Sequence, residues 1–101
     1  MRSKYEIIAQ KELEANGYVV DFKTRPSRFF AGQPTDYFHL FDLIAVKEGE
    51  KVRWISIKGH AGVSTRHRSE VGLFPLHKAG NRKEIWYWPR SKKECVKTVV
   101  P

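Results

Sequence analysis

The sequence predicts an α/β fold in which a mixed sheet of about five strands is flanked by helices. Apolar residues recur with a helical period near the start of the chain. Five later stretches have the length and the β-branched or aromatic composition of strands, and a short helical stretch separates the third from the fourth. Since 101 residues is an ordinary size for one domain, residues 1–101 are expected to form a single domain.

The first helix is expected over residues 3–15. Its apolar residues roughly follow the helical period, Ser3 can cap its start, and Gly17 ends the run. Residues 18–23 then alternate well enough for a first strand, which is expected to pair with a strand over residues 38–46.

A hairpin follows a long loop. Residues 24–35 contain two Pro, one Gly and several polar residues, so they cannot continue a central strand. Residues 38–46 and 52–59 are rich in β-branched and aromatic residues, and residues 47–51 combine one Gly with four charges. This pattern predicts two antiparallel strands joined by a short charged turn.

The rest of the chain predicts a short helix and two strands. Residues 69–78 are expected to form the helix, which Pro75 interrupts. Residues 84–90 and 95–100 are expected to form the last two strands.

The first of these two strands carries large side chains on both faces. Trp86 and Trp88 share one face, and Ile85 and Tyr87 share the other. Such a strand must be covered on both sides. The tryptophan face either packs within the core of the same chain or forms the interface of a homodimer.

The whole chain has a net charge of +8, and the positive charge is concentrated in its second half. Residues 1–50 carry seven Lys and Arg against eight Asp and Glu, for −1, and residues 51–101 carry twelve against three, for +9. Grouped Lys and Arg attract phosphate backbones through counterion release, so the predicted partner is a nucleic acid. The sequence contains no evident basic amphipathic helix with an apolar face, which argues against an anionic membrane as the partner.

Targeting and metal-binding patterns are sparse. The first residues do not form a signal peptide or a membrane span, and the single Cys95 excludes an internal disulfide, so a cytoplasmic protein is expected, or a phage-encoded protein in the host cytoplasm. The four histidines have no helical pairing and no cysteine partners, which argues against a structural zinc site.

Among the polar residues of the largely apolar hairpin, three are informative. Asp42 lies in its first strand, and Ser56 and Lys58 project from one face of its second strand. A carboxylate and an ammonium on largely apolar strands are costly unless they pair or hold a metal.

This hairpin resembles the PD-(D/E)XK nuclease superfamily, in particular its small phage and archaeal Holliday-junction-resolvase-like proteins. Asp42 matches the family's first Asp, with Phe41 where the Pro would be, and Lys58 matches its Lys. Ser56 stands where the family carries Glu, Asp or, in some branches, Gln. The resemblance implies a restriction-endonuclease-like core.

The resemblance also implies a site for Mg²⁺ or Mn²⁺. Asp42 would be the main ligand, a Glu on the first helix a second, and the main-chain carbonyl of Ile57 a third, while Lys58 would stabilise developing negative charge. Glu6 sits where the resolvase-like proteins carry their helical Glu, and Glu12 lies one and a half turns further on.

Basic and polar residues around this site are candidates for contact with nucleic acid. Those of the long loop correspond to Arg and Ser residues that lie near the scissile phosphate in the family, and those after Lys58 form a basic segment just past the site. If the second strand persists, His60 continues the alternation of Ser56 and Lys58 and faces the metal or the phosphate. The nucleic-acid-binding candidates are Arg25, Ser27, Arg28, His60, Arg66 and Arg68.

The predicted function is that of a metal-dependent endonuclease that acts on DNA phosphodiester bonds, including branched DNA or Holliday junctions, and works as a homodimer. One alternative is a catalytically reduced nucleic-acid-binding module on the same scaffold. A third interpretation is an interaction subunit of a larger nuclease or phage replication assembly. Ser56 is the residue that keeps these alternatives open.

Overall fold

The structure, a computed structural model, describes residues 4–22, 40–60, 62–90 and 94–101. Its elements confirm the α/β class and the predicted order of one helix, three strands, a second helix and two strands. In chain order they are α1 (Lys4–Ala15), β1 (Val19–Phe22), β2 (Leu43–Val46), β3 (Val52–Lys58), α2 (Thr65–Leu73), β4 (Asn81–Tyr87) and β5 (Val96–Val100).

The five strands form one mixed sheet in the order β1-β2-β3-β4-β5. All neighbouring strands are antiparallel except β3 and β4, which are parallel and are connected through α2. A parallel pair requires such a crossover because a tight turn cannot return the chain to the same end of the sheet.

One helix covers each face of the sheet. Alternate residues of a strand point to opposite faces, so Ile55 and Ile57 pack toward α1 while Ser56 and Lys58 face the side of α2. The buried cluster on the α1 side is formed by Ala9, Leu13, Leu43, Ala45, Ile55, Ile57, Trp86 and Trp88. The cluster on the α2 side is formed by Leu40, Phe41, Val71, Ile85 and Val100.

The tryptophan face of β4 is internal. Trp86 and Trp88 are 1% and 8% exposed, and both pack with Ala9 and Leu13 of α1. Packing within the core is therefore confirmed for this face. The alternative in which the same face forms a homodimer interface is wrong, because α1 already covers it.

The ends of α1 and α2 follow their capping residues. Gly17, with φ of +89°, closes α1, where the N–H of Tyr18 donates to the Leu13 carbonyl at 3.0 Å. α2 was predicted over residues 69–78 but begins at Thr65, because the hydroxyl of Ser64 accepts a hydrogen bond from the His67 N–H. It ends before Phe74, which is extended because it precedes a proline.

The strands differ from the prediction in their bounds. β3 ends at Lys58, one residue before its predicted end, and β4 both begins and ends three residues earlier than predicted, at Asn81 and Tyr87. The predicted strand over residues 38–46 is regular from Leu43 onward, and its first two residues lie outside the described part of the chain. No helix in the described ranges is long and apolar enough to cross a membrane.

Candidate active site

Asp42 lies where β2 departs from regular pairing with β3. Phe41 packs on the α2 side of the sheet whereas Leu43 packs on the α1 side, so strand alternation is broken at the residue between them. The N–H of Asp42 donates to the Ile55 carbonyl at 2.9 Å, and its Oδ2 accepts from the Ile57 N–H at 2.6 Å. The carboxylate is thereby held at the edge of β3 in a buried position.

The Ile57 carbonyl is directed to the same side of β3 as this carboxylate. The N–H and C=O of one strand residue point to the same neighbouring strand, and the N–H of Ile57 bonds to Asp42. The structure therefore brings together the carboxylate of Asp42 and the main-chain oxygen of Ile57, two of the three ligands expected from the sequence.

Ser56 and Lys58 lie beside this pair, on the face of β3 that α2 covers. Ser56 is fully buried, and its Oγ is 2.8 Å from Nε2 of His67. Lys58 is half-buried, and its main-chain carbonyl accepts from the Trp88 N–H at 3.0 Å, which extends the β3–β4 pairing. The two side chains face one side, as their spacing predicts.

His67 is a site residue that the sequence reasoning missed. It lies in the first turn of α2, and its ring is half-buried against β3. Burial lowers the pKa of His67, the charge of Lys58 lowers it further, and Asp42 and Glu70 act in the opposite direction. The available signal was Ser64, a residue type that caps helices, three residues before His67.

Glu6 lies in the first turn of α1, which is fixed against the end of β3. The ring of the preceding residue, Tyr5, packs on Gly59. A Cβ atom at position 59 would lie 2.9 Å from this ring. The hydroxyl of Tyr5 is 3.0 Å from Nε2 of His60. Glu6 is half-buried at this end of the sheet, whereas Glu12 is exposed and forms an ion pair with Lys97 on the edge strand β5.

His60 does not continue the alternation of Ser56 and Lys58, because β3 ends at Lys58. Its Nδ1 is 2.9 Å from the Trp88 carbonyl, and its Nε2 is the atom that contacts Tyr5. Both ring nitrogens therefore connect the end of β3 to α1 and to the chain after β4.

Two basic residues, Arg66 and Arg68, stand on either side of His67 in α2. Arg66 is exposed and pairs with Glu70 at 2.9 Å, one turn further along the helix. Arg68 is also exposed. The loop candidates Arg25, Ser27 and Arg28 lie outside the described residues.

The site offers oxygen ligands rather than a cluster of three conventional metal-binding side chains. Within residues 4–22, 40–60, 62–90 and 94–101, no three His, Cys, Asp or Glu side chains are grouped so that they could hold a metal ion. The Asp42 carboxylate is bound to the N–H of Ile57, and the carbonyl of the same residue is directed to the same side of β3.

Comparisons with known proteins give a likeness of fold. No protein-family model matches the chain. No curated protein matches it either. Among solved structures, the chain is similar to Hjc, a Holliday junction resolvase from the archaeal hyperthermophile Archaeoglobus fulgidus. The TM-score is 0.62 and the identity 16%, and the match covers 96% of this chain and 75% of that chain. The chain therefore has the α/β fold of that archaeal resolvase.

Proposed function

We propose that this protein binds DNA and hydrolyses its phosphodiester bonds with the help of Mg²⁺ or Mn²⁺, with branched DNA such as a Holliday junction among its substrates. The observation that carries the proposal is the hydrogen bond between the Asp42 carboxylate and the Ile57 N–H, which fixes an acid on the residue of β3 that precedes Lys58. The fold shared with a Holliday junction resolvase supports the same conclusion.

The oxygen ligands suit a hard cation. Mg²⁺ is commonly bound through one or two carboxylates, keeps several waters and takes substrate phosphate oxygens as further ligands. Asp42 and the Ile57 carbonyl would hold it, and Glu6 would approach from α1 as a second carboxylate. When bound, the metal would polarise the phosphate and lower the pKa of a water molecule.

Lys58 stabilises the negative charge that develops on the phosphate. Lys58 is half-buried, so water screens its charge less than at the surface. The exposed Arg66 and Arg68 contact the DNA backbone nearby, together with His60 and the loop residues Arg25, Ser27 and Arg28.

The test is nicking of supercoiled plasmid and cleavage of synthetic four-way junctions with Mg²⁺, with Mn²⁺ and with EDTA. Cleavage is expected with either metal and not with EDTA. Asp42→Asn and Lys58→Ala are each expected to lower the rate at least about 100-fold while DNA affinity changes little. The matched controls are Glu50→Gln and Lys51→Ala, two exposed residues at the opposite end of β3. Equal cleavage by the parent protein and Asp42→Asn would place the activity elsewhere.

A second candidate function is a DNA-binding module without catalysis. It is favoured by Ser56, which stands where the nuclease family carries an acidic residue or a glutamine. This function predicts no cleavage under any metal. It also predicts that Asp42→Asn leaves DNA affinity unchanged or raises it, because a negative charge near the phosphates is removed.

We further propose that the protein acts as a homodimer through a surface other than the Trp86 and Trp88 face. A two-fold assembly suits a junction with two equivalent strands to cut. Sedimentation of the parent protein should give the mass of two chains. Trp88→Glu should unfold the chain rather than produce folded monomers, since it buries an unpaired carboxylate under α1.

A further inference from the structure

The hydrogen bond between Ser56 and His67 joins β3 to the first turn of α2. Ser56 is fully buried, and its Oγ lies 2.8 Å from Nε2 of the imidazole. The main-chain N–H of His67 donates to the Ser64 hydroxyl at 3.0 Å, which caps the helix. The second ring nitrogen, Nδ1, points away from Ser56 and has no partner within the described ranges.

Burial of Ser56 decides which atom donates in this hydrogen bond. A buried donor without an acceptor is rarer in proteins than an acceptor with an unused lone pair. In the described part of the chain, Nε2 is the partner of the Ser56 hydroxyl. The hydroxyl therefore donates to Nε2, and a neutral imidazole must then carry its proton on Nδ1.

The surroundings of the ring favour the neutral form and a negatively charged ligand. Burial and the charge of Lys58 lower the pKa of His67, and they outweigh the opposite effects of Asp42 and Glu70. The ring also lies at the N-terminal end of a nine-residue helix, where free N–H groups and the helix dipole attract phosphate.

We propose that His67 is a phosphate-contacting residue of this site: its Nδ1–H donates to a non-bridging oxygen of the bound phosphodiester, and Ser56 holds the imidazole in that tautomer. The proposal rests on the proposed function, because it takes DNA as the ligand. Ser56 is then the residue that orients a histidine, rather than a metal ligand that has been lost.

This arrangement has a consequence for catalysis. A neutral donor that is already oriented can stabilise the charge that develops on a phosphate oxygen without any reorganisation in the transition state. Removing one such donor from an enzyme site typically lowers the catalytic rate by a factor of about 10²–10³. A carboxylate at position 56 would displace His67, since the Ser56 side chain has no exposed surface into which it could extend.

The first test is ¹⁵N NMR of the imidazoles in the full chain at neutral pH in EDTA, with and without a short DNA duplex. His67 is expected to show a protonated Nδ1 and an unprotonated Nε2, and its Nδ1 signal should move when DNA is added. His77, exposed beyond the far end of α2, is the internal control and should not move. Ser56→Ala should shift the proton of His67 toward Nε2. An Nε2-protonated His67 in the parent protein, or a signal that DNA leaves unchanged, overturns the proposal.

The second test compares two substitutions, each of which replaces one of the two imidazole nitrogens by a side-chain amide. The amide of Asn lies at the position of Nδ1, whereas the amide of Gln reaches the position of Nε2. His67→Asn should therefore cleave DNA within about tenfold of the parent protein, and His67→Gln should lose about 10²–10³ in rate. If the histidine served merely to hold Ser56, His67→Gln would be the more active variant, and that result overturns the proposal. Ser56→Glu should lower the cleavage rate. If position 56 were instead a metal-ligand position that serine fails to fill, the same substitution would raise the rate.

The two proposals fail in different ways. If the parent protein never cleaves DNA but the His67 signal responds to it, the phosphate contact stands and the nuclease function falls. If the parent protein cleaves DNA and Asp42→Asn does not, while His67→Gln cleaves at the parent rate, the nuclease function stands and the contact of His67 falls.

Discussion

Glu84 accepts two hydrogen bonds from the Arg53 guanidinium, from Nε at 2.6 Å and from Nη2 at 2.8 Å. Its side chain is 3% exposed and also accepts from Trp86 Nε1 and from Arg82 Nε, both at 2.9 Å. This buried carboxylate connects β3 and β4 on the α1 side of the sheet, at a distance from the candidate active site.

Glu84→Gln should lower the free energy of unfolding by about 3 kcal/mol at pH 7, because Arg53 would stay buried without its carboxylate. Urea unfolding followed by tryptophan fluorescence measures this change. The control is Glu70→Gln, which removes an exposed pair with Arg66 and should cost less than about 0.5 kcal/mol. Equal losses for the two variants would contradict the importance of the buried pair.

The contribution of Glu84 should also depend on pH. Burial acts to raise the pKa of this carboxyl, but hydrogen bonds and charge from Arg53, with further hydrogen bonds from Trp86 and Arg82, outweigh it and lower the pKa. A lowered pKa in the folded state contributes stability above the unfolded-state pKa, and this stability is lost as pH falls through the folded value. The stability difference between the parent protein and Glu84→Gln should therefore shrink in acid. A difference that stays constant down to acid pH would contradict this assignment.

The strands and the first helix could be predicted because each is specified by local sequence. β3 is a β-branched and aromatic run that follows a Gly-containing turn, and α1 ends at a glycine that can adopt positive φ. The start of α2 could not be placed from apolar periodicity, because Ser64 determines it through a single hydrogen bond. A cap of this kind depends on one side chain, so a search for helical period passes over it.

The candidate site residues of the hairpin could be proposed from the sequence, whereas the residue that α2 contributes could not. Asp42, Ser56 and Lys58 were found because they interrupt apolar strands. His67 was missed because its contact with Ser56 depends on how α2 crosses over the sheet, which residue spacing does not reveal. His60 was expected to face the site on the assumption that β3 continues, and the strand ends before it.

Ser64→Ala should lower the free energy of unfolding by about 1 kcal/mol, because the first turn of α2 loses the acceptor for the His67 N–H. Ser64→Asp should retain most of the stability, since Asp caps helices as well as Ser does. Chemical unfolding of the two variants measures the difference. If both lose the same amount, the cap is not the origin of the effect.

Gly59→Ala should destabilise the protein by about 1–3 kcal/mol, because the added Cβ would lie 2.9 Å from the Tyr5 ring and push α1 from the end of β3. Gly80→Ala is the matched control, since a Cβ there meets no atom within 4 Å. Thermal unfolding compares them. Combining Gly59→Ala with Tyr5→Ala should cost less than the sum of the two single changes, because the clash is then removed. Strict additivity would show that the two residues do not interact.

DNA affinity should fall steeply with salt, because phosphate contacts release counterions, and it should show little preference for sequence. The exposed Arg66 and Arg68 flank His67 on α2, so their replacement by alanine should make the slope of log affinity against log salt shallower by up to about 2. Fluorescence anisotropy with a labelled duplex, measured over a range of salt concentrations, gives both slopes.

The control for this prediction removes the same charge from another part of the surface. Lys51 and Lys78 are exposed at the end of the sheet opposite to Lys58, where Val52 begins β3 and Asn81 begins β4. Replacing both with alanine lowers the net charge by the same two units as the arginine pair, but it should leave the salt slope nearly unchanged if DNA lies over the α2 end. Equal effects of the two pairs would mean that the attraction comes from net charge, without a defined binding face. An affinity that does not change between low and high salt would remove the nucleic-acid proposal itself.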